Sequence, residues 1–279
     1  MSTEKELLPL RAALGEALPD PLRRAGEPGD GADLLLALSA QTRSPPAALG
    51  ARLAARVAAS RAASADLHTL RWPQREAAQA LADGVQARPL SACSQLLSWQ
   101  AGARWTLPAG TQELLLLDGE LELDGRRLGR LQHALLSGGQ AVRAASAGRA
   151  YLRSHADGPF SADQALQLSA VDGWQPLREG VEICPLQAGG GAVSLLARFA
   201  AGASVPAHPH GIAEECLMVE GELFLGDLLL PEGGFQRAPA GTAHGALVAD
   251  APCLLFFHGA IDAAAIDNAH RAQLGWPAL

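Results

Sequence analysis

Downstream of about Leu67 the chain alternates short apolar runs with glycine-bearing turns, the pattern of short β-strands rather than helices. SQLLSWQAGARWTLPAGTQELLLLDGELELDGRRLG, from Ser94 to Gly129, shows it plainly. VEICPLQAGGGAVSLLARF predicts a hairpin that turns at Gly189-Gly190-Gly191, and CLLFFHG (Cys253 to Gly259) predicts a closing strand. Upstream the period changes. Leu7, Leu10, Leu14 and Leu18 recur at helical spacing, Pro19-Asp20-Pro21 stops that helix, and Gly26 to Gly31 is a turn-rich break. Asp33 starts a second short helix, DLLLALSAQ. Ser44 followed by Pro45 starts a third, PPAALGARLAARVAASRAA, with Leu49, Leu53 and Val57 as its apolar stripe. The tail predicts one more short helix, from near Asp262 to Gly275, with His270 as a solvated residue. The fold class expected is mainly β with a short α-helical N-terminal region.

The β region reads twice. AGARWTLPAGTQELLLLDGELEL parallels AGASVPAHPHGIAEECLMVEGELFL, with Gly102 standing where Gly202 stands and the doubled glycines at 138–139 matched to those at 233–234. A chain of 279 residues is long enough for two such units and a smaller piece. The expected division is a helical segment over 1–66, a first β unit over 67–160 and a second over 161–279 that includes the C-terminal helix. The linking stretch LQLSAVDGWQPL either completes one unit or begins the next.

Composition narrows the function classes. A net charge of −7 argues against nucleic-acid binding through a basic surface. No apolar run is long enough to span a bilayer, and MSTEKELLPL lacks the basic-then-apolar order of a signal peptide, so a cytoplasmic protein without a membrane segment is expected. The four cysteines are scattered and are expected to be free thiols.

The chemistry concentrates between residues 202 and 244. Gly202 is followed at fixed spacing by His208, His210, Glu214 and Gly221, and a second block runs Gly233, Pro239, Gly241, His244. Alternate strand residues share a face, so His208 and His210 aim together, Glu214 keeps their parity, and His244 closes the set from another strand. Imidazoles with a carboxylate suit zinc, iron, manganese, nickel or copper. Glu215 is the alternative carboxylate. Cys216 and Met218 share parity with Glu214 and point toward the same site. Cys216 is there either an inert small hydrophobe or a thiolate, and His258 is either a partner of a ligand imidazole or a satisfied core histidine.

This spacing resembles the two-part cupin signature, G-x5-H-x-H-x3-E-x6-G and G-x5-P-x-G-x2-H, at every fixed position; only the asparagine that often ends it is replaced, by Val248. The resemblance implies two tandem cupin barrels of jelly-roll type, a bicupin, with one divalent metal ion at His208, His210, Glu214 and His244. Zinc is the first expectation for that ion, with iron, manganese or nickel as alternatives. In the first copy Pro108 and Gly110 take the places of the two histidines, and Gln112 or Glu113 that of the glutamate. No histidine stands near residue 149, and His133, too early in the repeat, is expected at the surface. The first barrel is therefore expected to lack metal ligands.

LLARFAAGASVPAHPHGIAEECLMVEGELFL further resembles the cupin half of ChrR-type anti-sigma regulators, and PPAALGARLAARVAAS resembles the end of their sigma-binding helical domain. That implies a transcription regulator whose N-terminal helices contact a sigma factor or another protein. The family's N-terminal His-x3-Cys-x2-Cys zinc motif is missing here, since no cysteine or histidine precedes His68. The alternative is a metal-dependent dioxygenase acting on a small organic molecule held in the C-terminal barrel. A third reading is a storage-like barrel stabilised by its ion. No catalytic side chain is assigned. Pairing of two chains through exposed strands is a further expectation of the resemblance.

Overall fold

The structure, a computed structural model, describes residues 47–70, 77–155, 166–169 and 171–266. The two upstream helices and most of the expected tail helix lie outside them. Within the tail, Ala263–Ala265 forms a single 3₁₀ turn capped by the Asp262 side chain, which accepts from Ala264 N–H at 2.7 Å. The third helix forms over Ala47–Ala63, where alanine, leucine and arginine all favour the helical state. It ends where Ser64 turns back onto Ser60 O with both its N–H and its hydroxyl.

The rest is antiparallel sheet. One seven-stranded sheet runs His68–Leu70, Phe235–Ala238, Glu214–Glu220, Cys253–Gly259, Ala192–Phe199, Val181–Gly189, Gln175–Arg178. Its companion has four strands, Ser204–Val205, Leu247–Val248, Glu222–Leu225 and Leu228–Pro231. Between them lies a core that includes Ile183, Leu195, Phe199, Leu223, Leu247 and Leu255. A second pair repeats the order. Leu166–Ser169, His133–Ser137, Thr111–Asp118, Gly148–Ser154, Ser94–Trp99, Val85–Pro89 and Gln79–Ala82 form its larger sheet. Arg104–Thr106, Ala141–Ala144, Leu121–Leu123 and Arg126–Leu128 form the smaller. Trp99 and Trp105, with ring centroids 5.5 Å apart, pack with Leu114 and Leu121 inside.

The two large sheets also share a core. Leu96, Leu115 and Tyr151 of the first meet Leu196, Leu217, Phe235 and Phe256 of the second. Strands buried on both faces cannot alternate apolar with polar, which is why LLLL (114–117) and CLLFF (253–257) read as unbroken runs. Along Cys253–Gly259, Cys253 and Leu255 enter the inner core while Leu254 and Phe256 face the opposite sheet. Phe256 is fully buried against Tyr151, ring centroids 4.9 Å apart, a burial worth about 1.5–3 kcal/mol.

The linking stretch serves both units. Leu166–Ser169 pairs with His133–Ser137 of the first large sheet, and Gln175–Arg178 pairs with Val181–Gly189 of the second. At the other end His68–Leu70, upstream of every strand of the first unit, pairs with Phe235–Ala238 of the second. The units thus trade their outermost strands.

Strand register corrects the internal alignment. Leu115 stands opposite His133 just as Leu217 stands opposite Phe235, so His133 is the counterpart of Phe235. Leu131 is then the counterpart of Gly233, and each donates its N–H inward, to Leu116 O and Met218 O respectively. Leu131 holds the left-handed φ of +63° that Gly233 adopts at +68°. Matching the doubled glycines at 138–139 to 233–234 therefore slipped the repeat, and the expectation of a surface His133 fell with it: His133 is completely buried between the large sheets.

Candidate metal centre

The centre begins with a two-residue ladder. His208–Pro209 pairs antiparallel with Ala243–His244, His208 directly opposite His244, ring centroids 4.5 Å apart. His210 N–H donates to Thr242 O and Gly241 N–H to His210 O, each at 2.8 Å, fixing His210 beside them. Glu214 opens the central strand Glu214–Glu220, and its neighbours by parity, Cys216 and Met218, share the inner core as expected. The motif glycines 202, 221, 233 and 241 all have positive φ. At Gly221 (φ +73°) a Cβ would also come within 3.0 Å of Pro252 O, so two independent constraints demand glycine there.

All four candidate ligands are buried and converge. His244 Nε2 lies 3.3 Å from one Glu214 oxygen, and His210 Nε2 and His208 Nε2 lie 3.8 and 3.9 Å from the other. The outer ring nitrogens decide the tautomers. His208 Nδ1 faces Pro206 O at 2.8 Å and His244 Nδ1 faces Gly245 O at 2.7 Å; a carbonyl can only accept, so both Nδ1 atoms carry the proton. The Thr242 hydroxyl donates to Pro239 O at 2.7 Å, which leaves its oxygen to accept from His210 Nδ1 at 2.9 Å. Each neutral imidazole therefore turns an Nε2 lone pair toward Glu214. Three lone pairs and a carboxylate facing one another repel unless a cation lies between them, and the buried Nε2 of His210 has no hydrogen-bond partner among the described residues. The residues fit a divalent ion.

Burial alone would raise the Glu214 carboxyl, but His208 and His244 outweigh it and hold the group down at about 2. Burial opposes charge on His208, yet Glu214 and the Pro206 carbonyl shift it upward; burial dominates at His210 and shifts it down. Burial and the neighbouring Glu214 push the Cys216 thiol well above its ordinary range, so it stays protonated and donates to Glu214 Oε1 at 3.6 Å. Cys216 is not among the four residues whose ligand atoms converge. None of the four cysteines forms a disulfide.

A small cavity of about 60 Å³ adjoins the cluster. His208 and Glu214 line it together with the apolar Val181, Leu195 and Phe199 and with Ile261 and Asp262.

Glu215, the alternative carboxylate, points the other way, into the layer between the large sheets. Tyr151 donates to it at 2.6 Å, Ser91 at 2.8 Å, and Arg153 Nη1 lies 2.6 Å away. In the first unit the same register places Gln112 where Glu214 stands and Glu113 where Glu215 stands. Gln112 is tied off, donating to Ala109 O and accepting from Ser154 Oγ. Glu113 enters the inter-sheet layer, where His133 Nε2 lies at 2.8 Å and His155 Nε2 at 2.9 Å. His258 joins them from the second unit, its Nδ1 2.8 Å from Ser194 Oγ and 3.7 Å from Glu113. His258 thus faces this layer and not the ligand imidazoles. No spacing in the sequence marks His155; the register of Gly148–Ser154 against Thr111–Asp118 brings it beside Glu113.

Residues 161–262 match the family described as ChrR Cupin-like domain. No curated protein sequence matches the chain. Among solved structures, a candidate dioxygenase from Nostoc punctiforme superposes with a TM-score of 0.58 at 10% identity, over 71% of this chain and 84% of that one. AerE from Microcystis aeruginosa gives 0.54 at 12%, over 67% and 97%. Oxalate decarboxylase from Lactobacillus farciminis gives 0.50 at 10%, over 68% and 85%. At these identities the likeness is one of fold. The chain carries a cupin-superfamily fold with a ChrR-like cupin domain toward its C-terminus, and in that domain three histidines and a glutamate form a buried cluster able to hold a divalent ion.

Proposed function

We propose that the C-terminal domain holds one divalent ion through His208, His210, Glu214 and His244 and uses it in chemistry on a small, largely apolar organic molecule, in the manner of a metal-dependent cupin dioxygenase. The observation that carries this is the union of a lone-pair-in ligand set with an apolar cavity that two of those ligands, His208 and Glu214, help to line. A divalent ion bound there supplies Lewis acidity and, as iron or manganese, a route to oxygen chemistry. The protein's own contributions are separable. Pro206, Thr242 and Gly245 hold the imidazoles in the ligating tautomer. The apolar walls lower the polarity around the face that His208 and Glu214 present, which strengthens charge interactions there. The Asp262 carboxylate is committed to capping a turn whose residues line the cavity. Solved proteins sharing the fold include a candidate dioxygenase and an oxalate decarboxylase, which supports chemistry over regulation.

The test loads apoprotein with Mn²⁺ and with Fe²⁺. Enhanced water-proton relaxation by the manganese form, and a nitric oxide adduct of the iron form by electron paramagnetic resonance, are the expected results. A site that binds only zinc and shows neither signal would overturn the enzyme reading. The match of residues 161–262 to a ChrR-type domain favours a second reading, metal-dependent control of a partner such as a sigma factor. Stoichiometric capture of a sigma factor by the full chain, lost with His208→Ala, would support that one.

A further inference from the structure

The walls of the cavity beside the His208 centre sort charge by strand parity. Leu177, Val181, Ile183, Ala197 and Phe199 line it, while Arg178, Glu182 and Arg198, interleaved with them in sequence, line a second groove instead. Arg178 donates to Ala265 O at 3.3 Å. Arg198 donates to Glu182 at 2.7 Å, its guanidinium 4.4 Å from the centre of the Trp174 ring. Among the described residues that line the cavity there is consequently no lysine, arginine, hydroxyl or amide side chain. Apart from the ligands His208 and Glu214, one polar side chain remains, Asp262. It brings an acceptor and a charge. One oxygen takes the Ala264 N–H at 2.7 Å, and a carboxylate has room for further donors. Asp262 is half-buried and close enough to His208 for its charge to favour the protonated imidazole.

We propose that this cavity takes a small uncharged molecule, an apolar body carrying one hydrogen-bond donor as an aliphatic alcohol does, and turns carboxylates away, with Asp262 as the residue that sets the choice. This rests on the reading that the cluster holds a divalent ion and acts on a molecule in this cavity, and it narrows that molecule to a class. A divalent ion held by His208, His210, Glu214 and His244 is balanced by the Glu214 and Asp262 carboxylates. A further charge of either sign then lies unbalanced among apolar walls, which is costly. An uncharged ligand avoids that cost: Asp262 accepts its donor, and side chains such as Leu195, Phe199 and Val205 take its body. The volume of about 60 Å³ is roughly four to six times what one water needs, which limits the ligand to a few non-hydrogen atoms.

The test follows butan-1-ol, butyrate and butylammonium by saturation-transfer NMR on the zinc-loaded full chain, with zinc measured on the same sample. Butan-1-ol is expected to bind at least about 10-fold more tightly than either ion. Asp262→Asn keeps a capping oxygen for Ala264 and removes the charge, so butyrate should gain at least about 10-fold on the alcohol. Butyrate or butylammonium binding to the wild type as tightly as butan-1-ol would overturn the proposal, and so would an unchanged preference in Asp262→Asn. Failure of the metal reading shows separately. A chain that takes up no zinc sinks that reading, while the refusal of butyrate, which the walls and Asp262 impose without an ion, must still be seen.

Discussion

The two units have the same strand order, yet among the described residues only the second brings ligands together inside its sheet pair. From Gly202 to Gly221 the second is two residues longer than the first from Gly102 to Gly119. Those residues build the ladder that sets His208 against His244. In the first unit Gly138 N–H bonds Gly110 O directly, and a Cβ on Gly138 would come within 2.0 Å of Pro108 O, so no room is left for such a ladder. Apolar patterning is enough to build the sheets, whereas the centre needs a local lengthening of the backbone as well as the right side chains. Between the units the lesson is different. Glu113 and Glu215 are counterparts, and so are Arg153 and His258: each last-strand residue reaches across to the other unit's glutamate, once as a guanidinium at 2.6 Å and once as an imidazole at 3.7 Å.

The strongest way to break this equivalence is at the inter-sheet layer. Arg153→Ala leaves Glu215 buried without its nearest cation and is expected to cost about 3–5 kcal/mol in denaturant unfolding, with Glu215→Gln in the same background restoring part of the loss. Phe256→Ala, which empties the contact with Tyr151, is expected to cost about 3–5 kcal/mol by the same measurement. At the centre, His208→Ala or His244→Ala should weaken metal binding by more than about 100-fold in a competition titration, since even outer partners of ligands matter by 10–100-fold.

A smaller effect is set by pH. Burial raises the Glu215 carboxyl, but Arg153, Tyr151 and Ser91 outweigh it and hold it below the ordinary value of 4.5. Its contribution is therefore fully present above pH 4.5 and lost as pH falls below that value, and Arg153→Ala should flatten this part of the stability profile. The smallest expected effect sharpens the comparison most. Gln112→Glu places the carboxylate of Glu214 at its counterpart and should leave metal content unchanged, because no ladder presents histidines to it.

Much of the centre was legible because its residues lie close in sequence and their spacing encodes strand parity and glycine turns. Cys253–Gly259 and the Gly189–Gly191 hairpin were legible for the same reason. The facing of Leu254, Phe256 and His258 was not, since a strand buried on both sides carries no alternation. Nor was the true internal register: Leu131 adopts a glycine's conformation without being one, and the doubled glycines at 138–139 offer a false match to 233–234. His155 and Glu113 are far apart in sequence, and nothing short of strand pairing reveals that they meet. His68–Leu70 is three residues long, too short to announce a strand and still less which sheet it joins.

That trade of outer strands governs how the polypeptide can be made and divided. As the chain leaves the ribosome, His68–Leu70 emerges early but its partner Phe235–Ala238 is not yet synthesised, while His133–Ser137 waits for Leu166–Ser169. A nascent chain therefore passes through a stage with two unsatisfied β edges, each a template for the wrong neighbour. Severing the chain at residue 160 would make that stage permanent in both fragments. Each piece would retain the strand the other requires, so mixed fragments should reclaim one another where either alone would clump.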